Sequence, residues 1–230
     1  MKITAFGCNH GALPTLPGGD LLIITGDLTH NDSVKAWKKF YDWLKVQKYR
    51  KKVYIAGNHD NFLQSCCTDE ESEQMGIRED WGFDYLCDSG IEFEGIKIWG
   101  SPWTTTFQGM NPHCKAFTVD HDEQLWDKWE KIPEDTDILI THSPPYMVLD
   151  EVDGYRSCGS KSLMARVMEI EPRLHFFSHI HEGYGHDDYW RMFPTDTKAS
   201  RIDFYNCSIM DREYHPVNRP WEIVWPLEKE

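Results

Sequence analysis

The chain of 230 residues has no apolar run near the ~20 residues that cross a bilayer as a helix, so no membrane partner is expected. Its first residues, Met1-Lys2-Ile3-Thr4-Ala5-Phe6, lack the apolar core and small-residue cleavage site of a secretion signal and read directly as strand. No Cys-x-x-Cys occurs. The seven cysteines are an odd number, and Cys66 and Cys67 are adjacent, which suits reduced thiols in a cytoplasmic protein better than a disulfide framework. Positive charge is also scarce: 24 Lys and Arg face 38 Asp and Glu, for a formal net charge of −14. Such a surface repels phosphate polymers, which argues against nucleic acid as a partner. A small phosphate-bearing ligand remains open if bound cations reverse the field locally. There is no Pro/Ser/Gly-rich linker, internal repeat or low-complexity tract, so one soluble domain over residues 1–230 is expected.

What is present is strand and helix in alternation. Ile3 to Phe6 reads as a strand ending in Gly7-Cys8-Asn9-His10. Leu21 to Thr25 is a continuous apolar run ending in Gly26-Asp27, as expected of a strand covered on both faces. Asn31, Asp32 and Ser33 offer capping oxygens to a helix with Val34, Trp37, Tyr41 and Leu44 on one face. Val53-Tyr54-Ile55-Ala56 is the next strand and runs into Gly57-Asn58-His59-Asp60. Residues 61 to 90 are acidic and mixed and predict only short helix and loop; the Asp69-Glu70-Glu71 run reads as a solvated face.

Further on, Ile91-Glu92-Phe93 and Ile96-Lys97-Ile98-Trp99 predict a hairpin turning at Glu94-Gly95. Asp120 and Glu123 resemble a capping pair for a helix whose stripe holds Leu125, Trp126, Trp129 and Ile132, tryptophans expected in the core. Asp137 to Thr141 stops at His142. Ser160 caps a helix bearing Leu163, Met164, Val167 and Ile170, and Leu174 to Phe177 ends in Ser178-His179-Ile180-His181. Ile202 to Tyr205 and Trp221 to Trp225 are later strand candidates. This order predicts a mixed-sheet α/β sandwich.

Just past five of these strands stand Cys8 and His10; Asp27; Asn58 and His59; His142; and His179 and His181. In a parallel sheet, carboxyl ends of strands converge on one edge. A lone histidine there is an ordinary structural or surface residue, and His113 and His186 are expected on the surface. Five imidazoles brought together would repel when protonated, so their convergence calls for a cation. Asp27 has two oxygens and is able to bridge two ions.

In these motifs the chain resembles the calcineurin-like metallophosphoesterases, whose pattern is Asp-x-His, Gly-Asp, Gly-Asn-His-Asp/Glu, a later strand-end His, and Gly-His-x-His. Leu174-His175-Phe176-Phe177, His181-Glu182-Gly183-Tyr184-Gly185, Asn206-Cys207-Ser208 and Pro216-Val217-Asn218 resemble a smaller metallophosphoesterase-domain, class III phosphodiesterase-like branch. The resemblance implies a four-layer αββα sandwich with two mixed β-sheets flanked by helices. It implies two metal ions (Mn, Fe or Zn), one held by Cys8, His10, Asp27 and His181, the other by Asp27, Asn58, His142 and His179. His59 would stand beside the leaving group as general acid or charge stabiliser, and a metal-bridging hydroxide would attack phosphorus. The implied substrate is a small phosphodiester such as a cyclic nucleotide. A nuclease or phosphomonoesterase on the same centre, and a catalytically weak scaffold, are the alternatives.

Two positions depart from the family pattern. Ser178 replaces a glycine and adds one hydroxyl, tolerable unless the backbone needs positive φ. Cys8 replaces an aspartate. As a ligand its softer sulfur favours Zn or Fe over Mg or Mn; as a small buried residue it would leave the first site weak. A Cys8→Asp protein is expected to keep activity and change its metal preference, read by elemental analysis; unchanged content and preference refutes ligation by Cys8.

Overall fold

The computed structural model describes residues 1–65, 83–106, 113–153, 156–190 and 201–226. Cys66, Cys67 and the Asp69-Glu70-Glu71 run lie outside the described residues. The chain first lays down β1 (Lys2–Phe6), β2 (Gly19–Ile24), β3 (Tyr49–Tyr54) and β4 (Asp84–Tyr85), each parallel to the one before. The hairpin β5 (Ser89–Phe93) and β6 (Ile96–Ser101) follows, then the short strands β7 (Thr104–Thr105) and β8 (Thr118–Val119). β9 (Ile138–Thr141) precedes another short pair, β10 (Glu151–Val152) and β11 (Arg156–Ser157). The last strands are β12 (Leu174–Phe177), β13 (Gly185–Trp190), β14 (Arg201–Asn206) and β15 (Trp221–Val224).

Two large sheets result. The first has order β15-β1-β2-β3-β4, with β15 returning antiparallel to β1. The second has order β13-β14-β12-β9-β6-β5; its four inner strands are parallel and both edges antiparallel.

Strand alternation decides the layers. From β1, Ile3 and Ala5 point one way. With Leu21, Ile23, Val53 and Ile55 they meet Ile98, Ile138, Ile140, Leu174 and Phe176 of the second sheet in a shared core. Phe6, Leu22, Ile24 and Tyr54 point the other way, onto Trp37, Phe40, Tyr41 and Leu44 of helix α1 (Val34–Lys45). Behind the second sheet, Leu139, Phe177 and Phe204 pack against Trp129 and against Leu163, Val167 and Ile170 of the helix Lys161–Ile170. This is the four-layer αββα sandwich with two mixed sheets. Inner strands are covered on both faces, which is why residues 21–24 and 138–140 are continuously apolar.

Several local expectations hold in detail. Ser33 and Ser160 cap their helices by accepting from the amides of Ala36 (3.2 Å) and Leu163 (3.0 Å). Glu94 (φ 52°) and Gly95 (φ 79°) form a two-residue left-handed turn between β5 and β6. Lys52 is buried, and its Nζ donates to the carbonyls of Leu44 (3.0 Å) and Lys45 (3.2 Å), closing the last turn of α1.

Others are corrected. Val34, on the flank of the stripe in the first turn of α1, is 72% exposed, and Phe40 on the opposite flank is buried instead. Asp120 and Glu123 do not cap a helix. His121 is the N-cap, its amide donating to Gln124 Oε1 (3.0 Å), the same spacing shifted by one residue. β4 arises inside the stretch expected to hold only helix and loop. β13 is a strand without a sequence signal, because an edge strand open to solvent carries Asp187 and Asp188 and shows no apolar run. His186 lies on that strand and is exposed, as expected, stacked on Tyr205 (4.5 Å) and 2.8 Å from Asp203. Among the described residues, no helix is long and apolar enough to cross a membrane.

His175 is fully buried on β12, its Nε2 2.8 Å from Thr141 Oγ1 and its ring beside Phe177 and Phe204. Burial pushes this imidazole down from 6.5 to about 3. It stays neutral in the fold while the unfolded chain takes up a proton, so stability is lost as pH falls from 6.5 toward 3. The expected slope from this residue is ~1.4 kcal/mol per pH unit. Urea melts of His175→Phe across that window should be correspondingly less pH-dependent; equal slopes in the two proteins contradict the assignment.

Candidate metal centre

The candidate residues come from two sheets, and this corrects the expectation of a single parallel sheet edge. β1, β2 and β3 deliver Cys8 and His10, Asp27, and Asn58 and His59; β9 and β12 of the other sheet deliver His142, and His179 and His181. The carboxyl ends of the two sheets are joined directly. Gly7 N donates to Cys207 O (2.8 Å), and Ile209 N donates back to Gly7 O (3.0 Å). The Thr25 carbonyl accepts from Ser178 Oγ (2.7 Å) and faces His142 Nδ1 (2.9 Å). The substituted serine is therefore used as a tie between sheets, and it is His179, not Ser178, that takes positive φ (70°).

Tight approach explains the local sequence. A Cβ on Gly57 would lie 2.2 Å from Asp27 Oδ1 and 2.5 Å from His142 Cε1, so only glycine lets these loops close. Cys8 (φ 42°), His10 (φ 38°), Asp27 (φ 54°) and His179 all sit in the left-handed region. Non-glycine residues held there cost about 1–3 kcal/mol each and concentrate at functional sites. Asp60 braces the turn: its carboxylate accepts from the amides of Gly57 (2.8 Å), Asp27 (2.9 Å) and Leu28 (3.0 Å).

The structure brings all eight predicted residues together. Ligand atoms of Cys8, His10 and His181 lie within 4.8 Å of one another; so do those of Cys8, Asp27 and His142, and those of His10, Asp27 and His59. His10 Nε2 is 3.3 Å from His181 Nε2 and 3.7 Å from Asp27 Oδ2. His142 Nε2 is 3.1 Å from Asn58 Oδ1 and 3.4 Å from Asp27 Oδ2. The His179 ring stands 4.8 Å from that of His142. His59 N donates to Asp27 Oδ1 (2.9 Å).

Burial pushes the Cys8 thiol, and the Asp27 charge pushes it further, up to about 12. Burial pushes His10 down to about 3 and holds His179 well below its usual value, with His142 adding to the effect on His179. Burial works against charge at His142 too, but the Asp27 carboxylate outweighs it and raises His142 to about 9. Burial would raise Asp27, yet His142, His59 and His10 together hold it well below the carboxylate range.

The donor set fits cations. His181 Nδ1 is 2.9 Å from the Asp211 carbonyl and His142 Nδ1 is 2.9 Å from that of Thr25. Each Nδ1 therefore carries a proton, and each Nε2 is turned to the centre. At His142, Nε2 meets two acceptor oxygens; the second ring proton held there by Asp27 fills that place, and a cation that displaces it would fill it instead. A cation bound at Cys8 must first displace the thiol proton, so uptake is coupled to proton release.

The sequence profile of the calcineurin-like phosphoesterases matches residues 1–183. The chain belongs to this family. Metallophosphoesterase domain-containing protein 1 of Homo sapiens is 34% identical over 238 residues, spanning 93% of this chain and 67% of that protein. A UPF0046 protein of Caenorhabditis elegans is 30% identical, spanning 97% of this chain and 63% of its own length. The chain thus spans roughly two-thirds of these relatives. Two solved structures share the fold at low identity. The phosphopantetheinyl hydrolase of Mycobacterium tuberculosis has TM-score 0.56 and 13% identity, covering 98% of this chain and 96% of that one. A protein of Thermus thermophilus has TM-score 0.55 and 16% identity, covering 88% of each. Calcineurin-like phosphoesterases use divalent metal ions, in keeping with the ligand groups above.

The centre opens into a cavity of about 260 Å³ lined also by Thr106, Cys114, Lys115, Val152, Arg212 and Tyr214. No strand-end motif marks these residues in the sequence; all but Val152, on β10, lie on irregular segments. Tyr214 packs edge-on against His10 (4.7 Å) and His181 (5.0 Å). His113 is exposed, as expected. Gly57→Ala should keep the far-UV dichroism of the fold and lose most bound metal by elemental analysis; normal metal content in this variant shows that the close approach of Asp27 and His142 is dispensable.

Proposed function

We propose that the chain is a phosphodiesterase for small substrates, such as cyclic nucleotides, working with two metal ions. The observation that carries this is the place of Asp27. Its carboxylate belongs both to the group with Cys8 and His142 and to the group with His10 and His59, as a bridging ligand would. One ion would be held by Cys8, His10, Asp27 and His181, the other by Asp27, Asn58, His142 and His179. Zn or Fe suits the Cys8 side because sulfur is the softer ligand. When bound, such ions supply Lewis-acid neutralisation of phosphoryl charge and acidify water.

The chain's own residues do the rest. His59, half-buried on the cavity wall, donates a hydrogen bond from its ring N–H to the leaving oxygen and stabilises the charge that develops there. Lys115 and Arg212, the latter paired with Asp153, line the cavity together with Glu182, in a chain whose net charge is −14. The cavity's size supports a small ester over a nucleic acid. Among the described residues, the Cys8, Cys114 and Cys207 thiols form no disulfide, which supports work in a reducing, cytoplasmic compartment.

The test couples elemental analysis of the purified protein to hydrolysis of an aryl phosphodiester and the matching monoester. Diester hydrolysis is expected to exceed monoester hydrolysis, and His59→Ala is expected to lose about 10²–10⁴-fold in kcat with metal retained. Full activity in His59→Ala removes the role given to that residue; a preference for the monoester overturns the diesterase reading.

A further inference from the structure

Residues 113–116 run alongside residues 58–61 and are tied to them four times. Asn58 Nδ2 donates to Cys114 O (3.3 Å), Ala116 N to Asn58 O (3.2 Å), and Asn61 Nδ2 to His113 O (3.1 Å). The fourth contact is between side chains: Cys114 Sγ lies 3.2 Å from His59 Nδ1. The first three use the backbone of 113–116 and would serve with almost any side chain at 114. The fourth depends on the thiol.

Sulfur is a weak acceptor and an imidazole nitrogen a good one, so the favoured pairing is S–H donating to Nδ1. A ring that accepts at Nδ1 carries its proton on Nε2. The same ring packs edge-on against His10 (4.6 Å), and its backbone amide is bonded to Asp27, so its place beside the metal ligands is fixed independently. We propose that Cys114 is a positioning residue for His59, its thiol selecting the tautomer with the proton on Nε2, the nitrogen that serves the leaving oxygen. This rests on the proposed function in placing the leaving oxygen at His59, to which the neutral ring donates a hydrogen bond from Nε2 while keeping its proton. A partner that orients a functional imidazole commonly affects activity by about 10–100-fold.

The test uses the full chain labelled with ¹⁵N-histidine, with His59 signals assigned by their absence in His59→Ala. Metal-free wild type and Cys114→Ser are expected to show His59 as the Nε2–H tautomer, and Cys114→Ala a mixture of tautomers. In the metal-loaded protein, Cys114→Ala should lose about tenfold in kcat on aryl diesters with poor leaving groups and less than about twofold on good ones, with Cys114→Ser close to wild type. Serine keeps the shape and the donor, so its rescue separates tautomer selection from packing. The proposal is overturned by an Nδ1–H tautomer in wild type, by unchanged His59 signals in Cys114→Ala, by a rate loss independent of the leaving group, or by no rescue with serine. If wild type hydrolyses no phosphoester, the proposed function falls, and the tautomer signals alone decide the pairing of Cys114 with His59.

Discussion

The site depends on two sheets being fastened to each other at their carboxyl ends. One carbonyl, that of Thr25, receives the Ser178 hydroxyl and faces His142 Nδ1, while Gly7 exchanges backbone hydrogen bonds with Cys207 and Ile209. Without these ties Asp27 would face solvent from one sheet and His142 would face it from the other. With them, residues more than a hundred positions apart hold ligand atoms within a few ångströms. The shared core of aliphatic and aromatic side chains below supplies the cohesion; the hydrogen bonds at the rim set the register in which the two edges meet.

That register concentrates electron-pair donors. His142 and His181 each turn Nδ1 to a carbonyl and present Nε2 inward, where Asp27 and Asn58 present oxygens. Burial keeps His10 and His179 neutral, and the imidazoles keep Asp27 ionised. The chain thus assembles neutral nitrogens and an anion, which are the protonation states a metal requires. Cys8 and His142 are the exceptions: the buried thiol and the imidazole beside Asp27 hold protons until a cation displaces them.

Around this set lies a ring of residues that hold the ligands but do not face the centre. Asp60 gathers three amides so that the Gly26 and Gly57 turns stay in step, and Asp211 offers its carbonyl to His181. Residues 113–116 brace Asn58 and His59 along their length. Left-handed backbone at Cys8, His10, Asp27 and His179 stores strain that only such bracing maintains.

Local chemistry determined a good deal by itself. Apolar runs such as Leu21–Ile24 and Ile138–Ile140 can only be strands buried on both faces, Ser33 and Ser160 can cap the helices that begin beside them, and Gly57-Asn58-His59-Asp60 marks a strand end built for function. Where the sequence was silent, partners lay far away or on irregular chain. β13 has no apolar pattern because its outer edge meets water, Cys114 has no motif because its meaning comes from His59 55 positions earlier, and Val34 fits the helical stripe yet remains in solvent. Which residues stand at strand ends follows from neighbours along the chain. Which strand ends face each other is set by the packing of two sheets, a property of side chains that meet only after the chain has folded.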